Sequence, residues 1–457
     1  MSSLNASLAT ALSGLSADQG ALQTTTNNVA NVNTPGYSRE VPVLVSSDPI
    51  VVDPLTLGTG VTLQTIESVR DPILESRIQQ ETQTQGQLSA LVSALSQTQV
   101  TFTSGTGDIG TAISNFFDSI NQLATSPADL SLRQGVLTAA DNLASSFNGA
   151  ANNLSAQRTS LDGDVTQSVG QVNQLTQQIA LLNGQISNLQ DSGQSPGAFL
   201  DQRTQLIDQL SSLIDVSVIP TDNTITLTTA NGTALVAGQQ SFQLSTAQVS
   251  GVQHIFSQGS DITSTLVAGQ LGGLLQARDQ QLPAIQTQLD TLAAGLANAV
   301  NTVQTAGYDL NGNRTTGVDL FNPPPTSGVG AAASLTVAIT DPTLIAASSD
   351  GTAGSNGNAE AMYALSNQAI IGGQNPTDYY SGLVFNVGND SANANAEQSA
   401  SSLVLQQLND QRSSVSGVSL DEEAANMVRY QQAYAASAQI VSTINSMMQT
   451  VIAMKTS

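Results

Sequence analysis

The chain has no cysteine and no tryptophan, and its 457 residues include a single histidine. Without cysteine there are no disulfides and no thiolate metal sites, and one histidine excludes metal binding through a histidine cluster. Aromatic residues make up only 4%, so a core has to be assembled from Leu, Val, Ile and Ala. Charge is scarce too: 10% of residues are charged, against about 25% in ordinary globular proteins. Such a surface forms few ion pairs and suits close, regular subunit packing. Basic residues are the scarcest: 11 Lys and Arg face 34 Asp and Glu, for a net charge of −23, and Lys455 is the only lysine. Phosphate neutralisation needs clustered cations, and here single arginines are scattered, so nucleic acid and anionic membrane are excluded as partners. No run of eighteen apolar residues occurs and the N-terminus lacks a basic region, which implies either a cytoplasmic protein or export without a cleaved signal peptide.

What the chain does have is two unpartnered amphipathic ends. Met427, Tyr430, Tyr434, Ser437, Val441, Ile444, Met448 and Val451 recur at steps of three and four, the repeat of a coiled-coil seam. Ser419 and Glu422 have capping-box spacing, and Asp421, Glu422 and Glu423 suit the positive end of the helix dipole. The first thirty residues mirror this pattern with Leu8, Leu12, Leu15, Leu22 and Val29, interrupted by Gln19 and Thr26. The expectation is that the two ends pair. The first helix must stop near Asn33, Thr34, Pro35, Gly36 and Tyr37, because proline lacks a donor and disfavours helix just before itself.

The organisation expected from pattern is mainly α with β-rich insertions, in discontinuous domains. Residues 1–33 and 416–457 form a terminal coiled-coil-like inner domain, and 34–71 an extended or hairpin connector. Residues 72–214, 269–306 and 392–415 form a middle domain of long helices, while 215–268 and 307–391 are β-rich and loop-rich outer insertions. Within these spans, helices are expected at 72–100, 109–123, from 129 through Leu154, at 161–189, 199–213, 271–303 and 393–411. Strands are expected around Val216–Val236, with a turn at Asn231 and Gly232, and at 334–340.

Three stretches mimic chemistry. Gly105-Thr106-Gly107-Asp108-Ile109-Gly110 matches a dinucleotide fingerprint but follows a helix where the fingerprint needs a strand. Gly193-Gln194-Ser195-Pro196-Gly197 matches a nucleophile elbow, yet Pro196 has no N–H for an oxyanion hole, and a helix-to-helix turn fits better. His254 is then a β-surface residue. Asp309-Leu310-Asn311-Gly312-Asn313 starts like a calcium loop, but Arg314 and Leu320 occupy the positions that need Gly and Glu, so an Asx turn is expected. No catalytic, metal or cofactor residues are assigned.

With these residues set out, the chain resembles the bacterial flagellar axial (rod and hook) protein family. The resemblance lies in Ser13-Gly14-Leu15, Asn27-Asn28-Val29-Ala30-Asn31 and Asn33-Thr34-Pro35-Gly36-Tyr37-Ser38-Arg39 at one end, and in Arg429-Tyr430-Gln431-Gln432-Ala433-Tyr434 at the other. Leu130-Ser131-Leu132-Arg133, Leu200-Asp201-Gln202-Arg203, Gly272 to Asp279 and Ser416 to Glu423 are similar to its hook-associated branch. The resemblance is weakest from Phe321 to Asp378. It implies a structural protein, not an enzyme: a self-assembling ring at the hook–filament junction, extracellular, exported by the flagellar type III route without a cleaved signal peptide. It also implies hook protein below, the second junction protein (hook-associated protein 3) above, an export chaperone on the C-terminal helix, and no cofactor. The terminal stripes would be the assembly seam and Asn33 to Tyr37 a helix-breaking connector. The alternatives are another hook or distal rod protein, a secreted serine hydrolase using Ser195 and His254, or an adhesin.

Overall fold

The computed structural model describes residues 2–52, 55–103, 108–221 and 224–456. Helix α1 (Ser2–Ala30) is followed by a long antiparallel hairpin of β1 (Glu40–Ser46) and β4 (Val61–Ser68), whose tip carries the short pair β2 (Ile50–Val52) and β3 (Leu55–Leu57). Helices α2 (Pro72–Thr103), α3 (Ile109–Thr125), α4 (Leu130–Asp191) and α5 (Gly197–Leu213) then build the middle of the molecule. Outer strands β5 (Ser217–Thr221), β6 (Thr224–Thr228), β7 (Ala234–Ala237) and β8 (Gln240–Ser241) form one antiparallel sheet. The strands β9 (Leu244–Val249), β10 (Val252–Ser257) and β11 (Ser260–Asp261) form a second. The chain returns through α6 (Gly269–Gln276), a π-helical turn at Ala277–Gln281 and α7 (Leu282–Ala306). A turn-rich module with the short helices α8 (Ala331–Ser334) and α9 (Gly357–Ala364) precedes α10 (Pro376–Ser416) and the final α11 (Leu420–Thr456).

One continuous core runs through the middle. Phe116, Phe147, Val136, Leu143, Leu292 and Leu296 are fully buried in it, each such side chain contributing roughly 1.5–3 kcal/mol. The sequence pattern suggests two helices across 129–189, whereas α4 is one helix of 62 residues. The apolar stripe lapses between Leu154 and Leu161 because Gln157 fills the gap: its Nε2 donates to Ala94 O at 2.7 Å and its Oε1 accepts from Thr98 Oγ1 at 3.0 Å. A satisfied buried amide does there what a leucine does elsewhere.

Two expected elements differ in the outer module. A strand over 334–340 does not form: Ala331–Ser334 is helical, and only an isolated bridge joins Phe321 to Val337. Residues 336 and 338 bond backbone to backbone with 320–322, through Asn322 N to Thr336 O and Ala338 N to Leu320 O, while before them Asn148 Nδ2 donates to Ala332 O and Leu335 O and Asp290 accepts from the N–H groups of Gly330 and Ala332. The helix expected from 393 begins instead at Pro376, so residues 376–391 belong to a long helix and not to a loop-rich insertion. Asn375 caps it, accepting from Asp378 N at 2.8 Å, with Pro376 in the first turn where its missing N–H costs nothing.

Outer parts are stapled to the helices by buried arginines. Arg133 Nε donates to Pro127 O and its Nη1 to Ile345 O, both at 2.6 Å. Arg203 holds Asn183, whose amide donates to Ile225 O and Gly238 O of the first sheet. The π turn aims Arg278 between Asp162 of α4 and Gln253 O of β10. All three arginines end or lie in the motifs that carry the family resemblance.

Candidate assembly surface and the joint that carries it

The two chain ends do pair: α11 packs along α1. On α11 the expected stripe is the face turned to α1, with Ile444 buried and Met427, Tyr430, Val441 and Met448 half-buried. Tyr434 and Val451 lie at its open edge, 36% and 39% exposed. Helix α1 meets it differently. Asp18 hydrogen-bonds Ser437, and a Cβ at Gly14 would stand 3.4 Å from Ser437 Oγ. Burial raises the Asp18 carboxyl above its usual range, and the Ser437 contact partly offsets this. Residues 11, 14, 18, 21 and 25 share that face at steps of three and four. A second face rests on the hairpin: Val61 N donates to Ser13 Oγ, Gly20 lies against Leu63, and Asn28 exchanges two backbone hydrogen bonds with Glu40.

The leucine stripe of α1 faces neither. At about 100° per residue, Leu8, Leu12, Leu15, Leu22 and Val29 fall roughly a quarter turn beyond the α11 face. Leu12 is 46% exposed and the others are half-buried. On α11, Ile440, Met447 and Met454 recur every seven residues and are 51%, 51% and 75% exposed. The intrachain pair therefore closes through small residues and leaves apolar flanks on both helices.

The pair is joined to the middle at one place. Asn33, Thr34, Pro35 and Gly36 are exposed and Tyr37 half-buried in a turn. Gly36 has φ +75°, and a Cβ there would come within 2.3 Å of Gln205 Nε2, so only glycine fits. Gln205 Nε2 donates to Pro35 O at 2.6 Å. Ser38 N donates to Asp201 Oδ2, while Arg70 bonds Asp201 Oδ1 at 2.5 Å and Thr204 at 3.0 Å. The returning strand crosses alongside: Arg39 N donates to Ser416 O, Val69 N to Arg39 O, and the Arg39 side chain pairs with Glu422. The expected cap is partly realised, since Glu422 N reaches Ser419 Oγ at 3.5 Å while the Glu422 carboxylate goes to Arg39.

A cavity of about 370 Å³ opens within this joint, lined by residues 31–38, Arg70, Glu75, Asp201, Thr204, Gln205, Asp208, Arg412 and the crossing at 416–418. Arg412 Nη1 lies 3.2 Å from Asp208 Oδ2 and 3.5 Å from Glu75 Oε2. Burial pushes the Asp208 carboxyl up to about 6, against the pull of Arg412 and with a push from Glu75. Burial likewise raises Glu40, with Asn27 partly offsetting it, and lowers Arg203 to about 10, helped by the like charge of Arg70. Sequence pattern does not find this hub, because its members are single polar residues on five separate segments. The only signal was a proline–glycine break near an arginine.

The chemical look-alikes resolve simply. Ser195 Oγ donates to Ile66 O of β4, in the turn between α4 and α5. His254 Nδ1 sits 2.6 Å from Asp261 Oδ2 on the outer sheet, so neither residue is offered to the other. Asp309 Oδ1 accepts from the N–H groups of Asn311 and Asn313, an Asx turn. The glycine-rich stretch at 105–110 lies mostly outside the described residues, and Asp108, which is described, caps α3. Among the described residues no group of acidic or histidine side chains is arranged to hold a metal, and no helix is long and apolar enough to cross a membrane.

Residues 95–321 match the family described as Flagellar hook-associated protein FlgK helical domain. Residues 8–37 match Flagella basal body rod protein, and 410–454 match Flagellar basal body rod FlgEFG protein C-terminal. The flagellar hook-associated protein 1 of Escherichia coli (strain K12) is 29% identical over 97% of this chain and 98% of its own length. Its namesake in Bacillus subtilis (strain 168) is 29% identical over 99% and 98%. The solved flagellar hook junction protein FlgK from Burkholderia pseudomallei superposes with a TM-score of 0.65 at 20% identity, covering 74% of this chain and all of that one, a likeness that shows the fold.

Proposed function

The chain belongs to the flagellar hook-associated protein 1 family, and from that premise we propose how its geometry serves the hook–filament junction. It is a structural component of the flagellum and not an enzyme. It associates with the hook and with copies of itself. The observation that carries our reading is the pairing of the two chain ends with apolar flanks left over on both helices. Burial of such flanks drives association, and neighbouring copies supply matching flanks. The paired ends are then an inner layer, residues 34–71 a connector, the long helices a middle layer, and the two sheets with the 307–375 module an outer one. Hook protein below, hook-associated protein 3 above, and an export chaperone on α11 before assembly complete the proposed set of partners, with export by a route that cleaves no signal peptide. Deleting the protein tests this. Electron microscopy should show hooks without filaments, with filament protein lost to the medium. Normal filaments would overturn it.

The joint has a mechanical part in this reading. The Pro35–Gly36 break turns the chain so that inner and middle layers hold different directions, which buffers a curved hook against a stiffer filament. Since Gly36 is left-handed and pressed on Gln205, replacing Pro35 and Gly36 by alanines should impair junction assembly. Unchanged motility sinks the mechanical role.

A further inference from the structure

In a chain with 11 basic residues and 34 acidic ones, the arginines of the helical body are nearly all engaged: Arg70 with Asp201, Arg278 with Asp162, Arg412 with Asp208. Arg77 on α2 and Arg158 on α4 are in no ion pair among the described residues; Arg158 is half-buried, and Arg77 is the exposed one. Two residues earlier, Glu75 lines the joint cavity. At about 100° and 1.5 Å per residue, the two side chains leave α2 roughly 200° apart at nearly one height. The cavity and the free guanidinium thus lie on opposite sides of α2 at nearly the same level.

The cavity carries one more carboxylate than guanidinium. Its charged lining is Glu75, Asp201 and Asp208 against Arg70 and Arg412. One guanidinium serves both acids: Arg412 Nη1 reaches Glu75 Oε2 only at 3.5 Å, and Asp208 Oδ1 and Glu75 Oε2 make no well-formed hydrogen bond. The raised Asp208 carboxyl agrees with that shortage. Beside Arg77, one turn back on the same face, Ile73 is 75% exposed, while Val32, Pro35 and Val418 give the cavity an apolar mouth.

We propose that Arg77 of one copy enters the acid-lined joint cavity of the next, with Ile73 beside it at the mouth. The partner is a second copy of this chain, chosen by charge complementarity. A cation and its cavity at one height on opposite sides make a head-to-tail contact that runs laterally with little axial rise. The contact rests on the self-assembly reading above and specifies it: each neighbour completes the joint between the inner and middle layers.

The absence of cysteine gives a clean background for testing geometry. The full chain carrying Thr34→Cys and Ile73→Cys, with Arg77 kept, replaces the native copy in cells, and purified flagella are oxidised. A disulfide ladder of dimers and larger species is expected from the double variant, absent from either single variant and removed by reductant. A chain present in the flagella without a ladder overturns the lateral contact and leaves the self-assembly reading standing. Single and double variants all absent from flagella, with the native chain also absent, overturn both. If only the double variant fails to enter, Arg77→Glu against Arg77→Lys decides. At least about tenfold lower incorporation of the glutamate form is expected, and equal incorporation of the two overturns the contact.

Discussion

The helical body around α4 and the α1–α11 pair are both built from long amphipathic helices, yet they end in opposite states. In the body, Phe116, Phe147, Leu143 and Leu292 are wholly enclosed, and the buried Arg133 and Arg278 are hydrogen-bonded to carbonyl and carboxylate oxygens. In the terminal pair the buried apolar residues are Ala11, Ala17, Ala21 and Ile444, while Leu12, Ile440 and Met447 remain in solvent. Large side chains face inward throughout the body, whereas in the pair only α11 brings large residues to the seam and α1 answers with small ones. A helix pair that closes on one side through alanine and glycine and still displays leucine and methionine is a half-made interface, whereas the body is a finished domain. The joint between them is intermediate: polar, buried, and one cation short.

That contrast can be broken from the body's side first. Arg278→Ala removes one partner of a buried ion pair, leaving Asp162 with only the Gln253 N–H and Gln253 O with no donor from the π turn, which should cost about 3–5 kcal/mol. Thermal unfolding checks it, and a loss under about 1 kcal/mol would mean the body is not held by its staples. The joint comes next. Asp208 titrates higher when folded, about 6 against the usual 3.8. Its ionised form therefore costs stability, fully above about pH 6 and not at all below about pH 4. Stability should rise by about 1–2 kcal/mol as pH falls from 7 to 5, and Asp208→Asn should remove most of that rise. The smallest effect on the free chain is expected at the seam. Leu12→Ser should change monomer stability by no more than about 0.5 kcal/mol, yet abolish incorporation into flagella. A clear drop in the melting temperature of the monomer would show that Leu12 serves the chain's own fold, and would erase the contrast.

Legibility followed the size of the signal. The terminal stripes, the stop at Pro35, the helices α2, α3 and α5 and the Asn231–Gly232 turn could be read because each is a run of residues with one period or one backbone demand. The continuity of α4 could not, since Gln157 breaks the apolar count while being satisfied from α2. The expected strand at 334–340 shrinks to two backbone bonds with 320–322, because β-propensity says nothing about the helical turn at Ala331–Ser334 or about Asn148 taking Leu335 O at its start. The start of α10 was marked by Asn375 and Pro376, a cap that a search for apolar periodicity passes over.

By itself the sequence determined that the ends are helices with unspent apolar stripes and that the middle is a helical body with β insertions. Those follow from local period, composition and backbone restrictions. Which face of α1 meets α11 was decided only in three dimensions. Close approach of two helices is won by small residues at Ala11, Gly14 and Ala21, and the hairpin already claims the adjoining face. The bulky stripe was therefore left outside, where a second chain can reach it.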